Sequence, residues 1–218
     1  MDLDEAKILN ETKYKTLPGE DAKEIKMAVG GDVGFEGDGE KITKNLVNYN
    51  PDVLIIGGDI AYDDGMRSCF YSWDNFYAIF EELNQEVGRL IPLILTIGNH
   101  DVGYDALAEV TLDKNNDKIP YFFLFNPQHT VSNNKSPSSI PKSTQVPEPS
   151  ERLSYHSHII GPTLHLHLDS GYVTSFEDQN SFIDLMSSTH PSLYKFANYH
   201  NPIYPSCTDS TDGSVIIF

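Results

Sequence analysis

Short apolar runs and amphipathic stretches alternate along the first hundred residues. Ile25-Lys26-Met27-Ala28-Val29 is a compact apolar run containing β-branched residues, and Gly30-Gly31-Asp32 ends it. Ile42, Leu46 and Val47 recur at helical spacing between Lys41 and Asn48. Val53-Leu54-Ile55-Ile56 is a second run, closed by Gly57-Gly58-Asp59. From Tyr71 to Val87, Trp73, Phe76, Tyr77, Phe80 and Leu83 return every three or four residues, which places them on one helix face. Leu90 to Ile97 is a third run, closed by Gly98-Asn99-His100-Asp101. Strand, helix, strand, helix, strand predicts an α/β fold with a parallel sheet covered by helices.

In such sheets the functional crevice lies beyond the carboxyl ends of the strands. Three strand ends therefore bring Asp32, Asp59 and Asn99-His100-Asp101 to one sheet edge. Further on, the pattern predicts strands over Ala106–Leu112 and Ile119–Phe125 around a hairpin turn at 113–118, which lacks the Gly and Glu of a calcium loop. Residues 126–151, rich in Ser, Pro, Asn and Gln, read as an exposed loop insertion. Leu164–Leu168 reads as a strand, 176–186 as a helix, and Leu193–Asn198 as a last strand running into Tyr199-His200-Asn201-Pro202. His165 and His167 share a strand face by period two and are read as strand-face histidines rather than metal ligands; His156 and His158 suit a strand or a loop, and His190 follows a helix.

Charge narrows the function. Lys and Arg number 15 against 32 Asp and Glu, a formal charge of −17, which disfavours nucleic acid or an anionic membrane as a partner recognised by bulk charge. No apolar run approaches the ~18 residues of a membrane-spanning helix. Cys69 and Cys207 are too few to indicate a redox compartment. Asn10-Glu11-Thr12 and Asn134-Lys135-Ser136 have the glycosylation-acceptor pattern. An acidic protein can still bind a phosphorylated substrate if its site supplies positive charge. Carboxylates, an amide oxygen, imidazole and phenolate on neighbouring strand ends are ligands for two transition-metal ions. Such ions, ~3.5–4 Å apart, serve in-line displacement at phosphorus.

The ordered set Gly31-Asp32-Val33-Gly34, Gly58-Asp59-Ile60-Ala61-Tyr62, Gly98-Asn99-His100-Asp101 and Tyr199-His200 resembles the signatures of calcineurin-like metallophosphoesterases. Tyr62, Gly34, Trp73-Asp74, Leu168-Asp169-Ser170-Gly171 with Gln179, and the stretch from His200 to Pro205 resemble the purple acid phosphatase branch. The resemblance spans about Tyr14 to Cys207. It implies an αββα sandwich with mixed sheets and helices on the outer faces, and hydrolysis of phosphate monoesters by a hydroxide held between two metal ions. Phosphodiesterase or nucleotide hydrolase chemistry on the same fold is the alternative. By resemblance, Asp32 and Tyr62 hold an iron ion, Asp59 bridges, and Asn99 and His200 hold a second ion that is zinc, manganese or iron. His100 contacts the phosphate and helps protonate the leaving group. Asp101 stands where the family commonly has Glu, and is expected to orient His100.

The family's final His-x-His signature has no counterpart after His200. The resemblance thus predicts residues 1–24 as the end of an upstream β-sandwich with its linker. It predicts 25–218 as the N-terminal part of the catalytic domain, with an exposed edge or apolar face on the second sheet. A catalytically incomplete fragment is the non-enzyme alternative. The parent protein is expected to be secreted or lysosomal by resemblance; compartment and oligomeric state are open at this level.

Overall fold

The computed structural model describes residues 12–103, 120–125 and 152–202. The expected strand at 106–112, the turn at 113–118, the loop at 126–151 and the segment after Pro202 with Cys207 lie outside them. The elements are β1 (Met27–Gly30), α1 (Gly37–Tyr49), β2 (Val53–Gly57), α2 (Phe70–Val87), β3 (Leu93–Thr96), α3 (Tyr121–Phe125), β4 (His156–Ile160), β5 (Thr163–His167), α4 (Phe176–Thr189) and β6 (Tyr194–Asn198). Single 3-10 turns stand at Arg67–Cys69 and Asn99–Asp101.

The first sheet is parallel, in the order β1-β2-β3. The second is mixed, in the order β4-β5-β6, with β4 antiparallel and β6 parallel to β5. β2 explains the layering. Its Leu54 and Ile56 pack with Trp73, Phe76, Phe80 and Leu83 of α2, and Leu46 and Val47 of α1 join them. Its Val53 and Ile55 point the other way, onto Ile94 of β3 and Ile160 of β4. Both faces are covered, so the strand is apolar throughout instead of alternating. Leu164 and Leu166 of β5 pack outward on Phe182 and Met186 of α4. Helices, sheet, sheet, helix is the expected αββα sandwich, and each buried Leu or Phe stabilises it by about 1.5–3 kcal/mol.

Residues 12–24 run along this sandwich. Tyr14 forms a parallel bridge with Leu90, Gly161 N–H donates to the Pro18 carbonyl at 2.9 Å, and Leu17 packs between the sheets. Among the described residues β6 stands at one end of the second sheet, with Tyr194 73% and Phe196 48% exposed.

One element differs in kind. The run ending at Phe125, expected as a strand, is the helix α3. A short aromatic run has no periodicity to separate the two forms. Here Phe122 and Phe123 are fully buried, the Phe125 ring lies 5.2 Å from Trp73, and Arg152 donates to the Phe123 and Leu124 carbonyls that a helix end leaves open. β3 is also shorter than the apolar run 90–97, because Leu90 is used by Tyr14.

His158 on β4 carries a measurable consequence. Burial, with His165 adding to it, holds its imidazole down to about 4. Between that value and the ordinary ~6.5 the unfolded chain binds more protons than the folded one, so stability rises with pH and is lost as pH falls. Chemical denaturation of chelator-treated protein should show up to about 3 kcal/mol lost between pH 6.5 and 4 from this group. His158→Gln should flatten that slope; an unchanged slope would remove His158 as its source.

Candidate metal centre

The loops after β1, β2 and β3 lie side by side beyond the strand ends. Asp32 N–H donates to the Gly58 carbonyl at 3.1 Å, Val33 N–H to Asp59 at 3.1 Å, and Gly34 N–H to Ile60 at 2.9 Å. Asp32, Asp59, Tyr62 and Asp64 all have positive φ, of 53°, 51°, 55° and 51°. Four left-handed non-glycine residues gathered in two adjoining loops are a local cost, which the surrounding hydrogen bonds must offset. The glycines before them permit close approach. A Cβ on Gly98 would meet Asp59 N and Oδ1 at 2.3 Å, and one on Gly58 would meet the His200 ring at 2.7 Å.

One ligand atom each from Asp32, Asp59 and His200 lies within 4.8 Å of the others. Asp59 is 3% exposed, and its Oδ1 accepts the His100 N–H at 2.9 Å. His200 Nδ1 donates to the Gly57 carbonyl at 2.9 Å, which fixes the tautomer and directs Nε2 into the group. There Nε2 stands 3.1 Å from Asn99 Oδ1 and 3.3 Å from Asp59 Oδ2. A proton or a metal ion between that nitrogen and the two oxygens would satisfy the arrangement. The direction of the His200 shift says the same: burial works against its charged form, yet Asp59 raises its pKa overall.

Tyr62 O–H donates to Asp32 Oδ1 at 3.2 Å. Burial and the charges of Asp32 and Asp59 push its pKa well above the usual phenol range, so phenolate forms here only beside a cation. All of the sequence-predicted ligands, Asp32, Asp59, Tyr62, Asn99 and His200, thus meet in one cluster. The donor set suits transition-metal ions.

His100 joins it, with its ring 4.7 Å from that of Tyr62 and Nε2 3.9 Å from Asp59 Oδ2. Its carboxylate partner is Asp64, at Nδ1, and not Asp101 as the sequence suggested. Asp101 is fully buried and turned inward, accepting N–H groups from Asp59 at 3.0 Å, Ile60 at 2.9 Å and Gly98 at 2.7 Å. The 3-10 turn at 99–101 carries adjacent side chains to opposite sides, which spacing alone does not reveal. The sequence signal for Asp64 was Asp63-Asp64-Gly65 directly after Tyr62, a turn whose first Asp takes the Trp73 indole N–H at 2.9 Å.

A second layer comes from the loop after β5. Asp169 accepts four backbone N–H groups, from Gly171 to Thr174, and Gln179 bonds its N–H and carbonyl. That loop sets Ser170 Oγ to accept from His200 N–H at 3.2 Å and Asn201 N–H at 3.1 Å. Ser170 positions His200.

Residues 27–215 match the calcineurin-like phosphoesterase family model. The chain belongs to that family, whose members bind two metal ions and hydrolyse phosphate esters. No curated protein matches the chain. No helix among the described residues is long and apolar enough to cross a membrane.

Proposed function

We propose that the chain is a phosphomonoesterase of the purple acid phosphatase branch. Asp32 and Tyr62 would hold an iron ion, Asn99 and His200 would hold zinc, manganese or a second iron, and Asp59 would serve both. The observation that carries this reading is the Tyr62 hydroxyl on Asp32, inside the carboxylate and imidazole cluster. When bound, the two ions supply the positive charge that an acidic chain needs to accept a phosphate ester, and acidify the attacking water.

The chain's own residues divide the remaining work. Tyr62 would hold the iron as phenolate, its proton released to solvent on metal binding, and its charge would offset part of the metal's. Asp64 holds His100 by Nδ1, so the opposite ring nitrogen stands on the site side. From there His100 contacts the phosphate and passes a proton to the leaving oxygen. Gly57 and Ser170 keep His200 aimed at Asp59 and Asn99.

The test is one preparation with two readouts. The full chain loaded with iron and zinc should hydrolyse p-nitrophenyl phosphate at least ~10-fold faster than bis(p-nitrophenyl) phosphate, and show a visible phenolate-to-iron band. Tyr62→Phe should abolish the band. Equal rates on the two esters would overturn the monoesterase reading, and a band surviving in Tyr62→Phe would overturn the iron position.

A further inference from the structure

The space between two packed sheets is ordinarily filled by apolar side chains. On the β4–β5 hairpin it is filled largely by imidazole. The register pairs His156 with His167 and His158 with His165, so period two places all four on the face that carries Ile160. Ile160 packs on Val53, Ile55 and Ile94 of the first sheet. Half of the chain's eight histidines are therefore gathered in a two-by-two block facing the other sheet.

Three of the four converge. The His156 and His167 rings stack at 4.6 Å, His158 lies edge-on to both at 5.1 and 5.5 Å, and one nitrogen from each lies within 4.8 Å of the others. His156 and His167 are fully buried. The fourth, His165, is turned to Thr163 at 3.0 Å and stacks on Phe196 of β6. His167 Nδ1 sits 3.1 Å from Thr96 Oγ1 on β3. With Nδ1–H donating to Thr96, the His167 lone pair is on Nε2, the arrangement in which a ligating histidine is oriented by its other nitrogen.

We propose that His156, His158 and His167 form a second metal site, for a single zinc-type transition-metal ion, that clips the two sheets together and is separate from the Asp32–Asp59–His200 centre. All-imidazole donors select zinc, copper or nickel over magnesium or calcium. At a Zn–N length of ~2.0–2.1 Å, tetrahedral ligand nitrogens stand about 3.4 Å apart. The rings must close by about 1.4 Å from the 4.8 Å limit seen here, which rotation about their side-chain torsions supplies. A solvent molecule completes the fourth position. Thr96 ties the site to β3, and β3 leads into Asn99, so the ion stiffens the strand that presents a candidate ligand of the first centre.

The experiment uses the full-length chain carrying Asp59→Asn and His200→Gln, which disable the first centre. After chelator treatment it is titrated calorimetrically with zinc, and the complex is examined by zinc K-edge X-ray absorption. One ion per chain, coordinated by three imidazole nitrogens and weakened at least 100-fold by adding His158→Gln, is the expected result. No binding tighter than ~10 µM, or unchanged binding with His158→Gln, overturns the site and leaves these residues as neutral core histidines. Should the His158→Gln chain fail to fold, the absorption spectrum decides alone: fewer than three imidazole nitrogens overturns the proposal. Failure here leaves the first centre untouched, since that centre is already disabled in the tested chain.

Discussion

Asp59→Asn should lower phosphate-ester turnover on the order of 10³-fold or more and abolish stoichiometric iron uptake, while the fold persists. The Asp59 backbone sits at φ 51°, a conformation that Asn tolerates better than other residues with a side chain. The amide oxygen can still accept the His100 N–H that Asp59 Oδ1 accepts now. What disappears is the charge at Oδ2, where His200 Nε2 stands at 3.3 Å and Asp32 contributes the neighbouring carboxylate. In the bridging role proposed for Asp59 the ligand would offset positive charge on two ions, which a neutral amide cannot do. Elemental analysis after dialysis, with circular dichroism beside it, is the check. Full iron occupancy in a folded Asp59→Asn chain would sink the bridging role.

Asp101→Ala should be the most destabilising single change near the centre, by about 3–5 kcal/mol. Its carboxylate is fully buried and accepts three backbone N–H groups, from Asp59, Ile60 and Gly98. Alanine would leave those donors in the dark of the core without acceptors, at about 1–3 kcal/mol each before relaxation. For a chain of this length the loss corresponds to roughly 10 °C in the melting midpoint. It should also weaken metal affinity 10- to 100-fold, because the same contacts hold Asp59 and the turn that bears Asn99. Urea denaturation measures the first effect and metal titration of the still-folded fraction the second. A loss below 1 kcal/mol would mean that Asp101 is not the organiser of these loops.

Much of this was legible from one dimension because the relevant signals are local. β2 and α2 follow from an uninterrupted apolar run rich in β-branched residues and an aromatic stripe at helical spacing, patterns that only one geometry buries well. Asp32, Asp59 and Asn99 stood out because each follows a glycine at a strand end, where a parallel sheet gathers its functional loops, and His100 because it is next in that loop. Tyr62 and His200 needed the family resemblance, since a tyrosine in a turn and a histidine after a strand carry little signal of their own.

α3 was read as a strand because its aromatic run is too short to show a period; as a helix it buries Phe122 and Phe123, sets Phe125 on Trp73 and offers its end carbonyls to Arg152. Asp101 was expected to orient His100, but Asp64 does so and Asp101 turns inward, because His100 and Asp101, neighbours on a tight turn, point to opposite sides. The histidines of β4 and β5 looked bland one strand at a time. Only the hairpin register pairs them, and only the packing of the second sheet on the first buries them together.

By itself the sequence determined a parallel α/β sheet covered by helices, the strand ends that carry the chemistry, and the ligand types offered there; the αββα layering came with the family resemblance. Those depend on period, on glycine punctuation and on which side chains can bind a cation. The tertiary structure alone decided which carboxylate faces His100, which one holds the loops from within, and that three imidazoles share one buried space. Those depend on distances between residues 36 to 42 positions apart at the centre, and on strand pairing in the hairpin, neither of which any local pattern encodes.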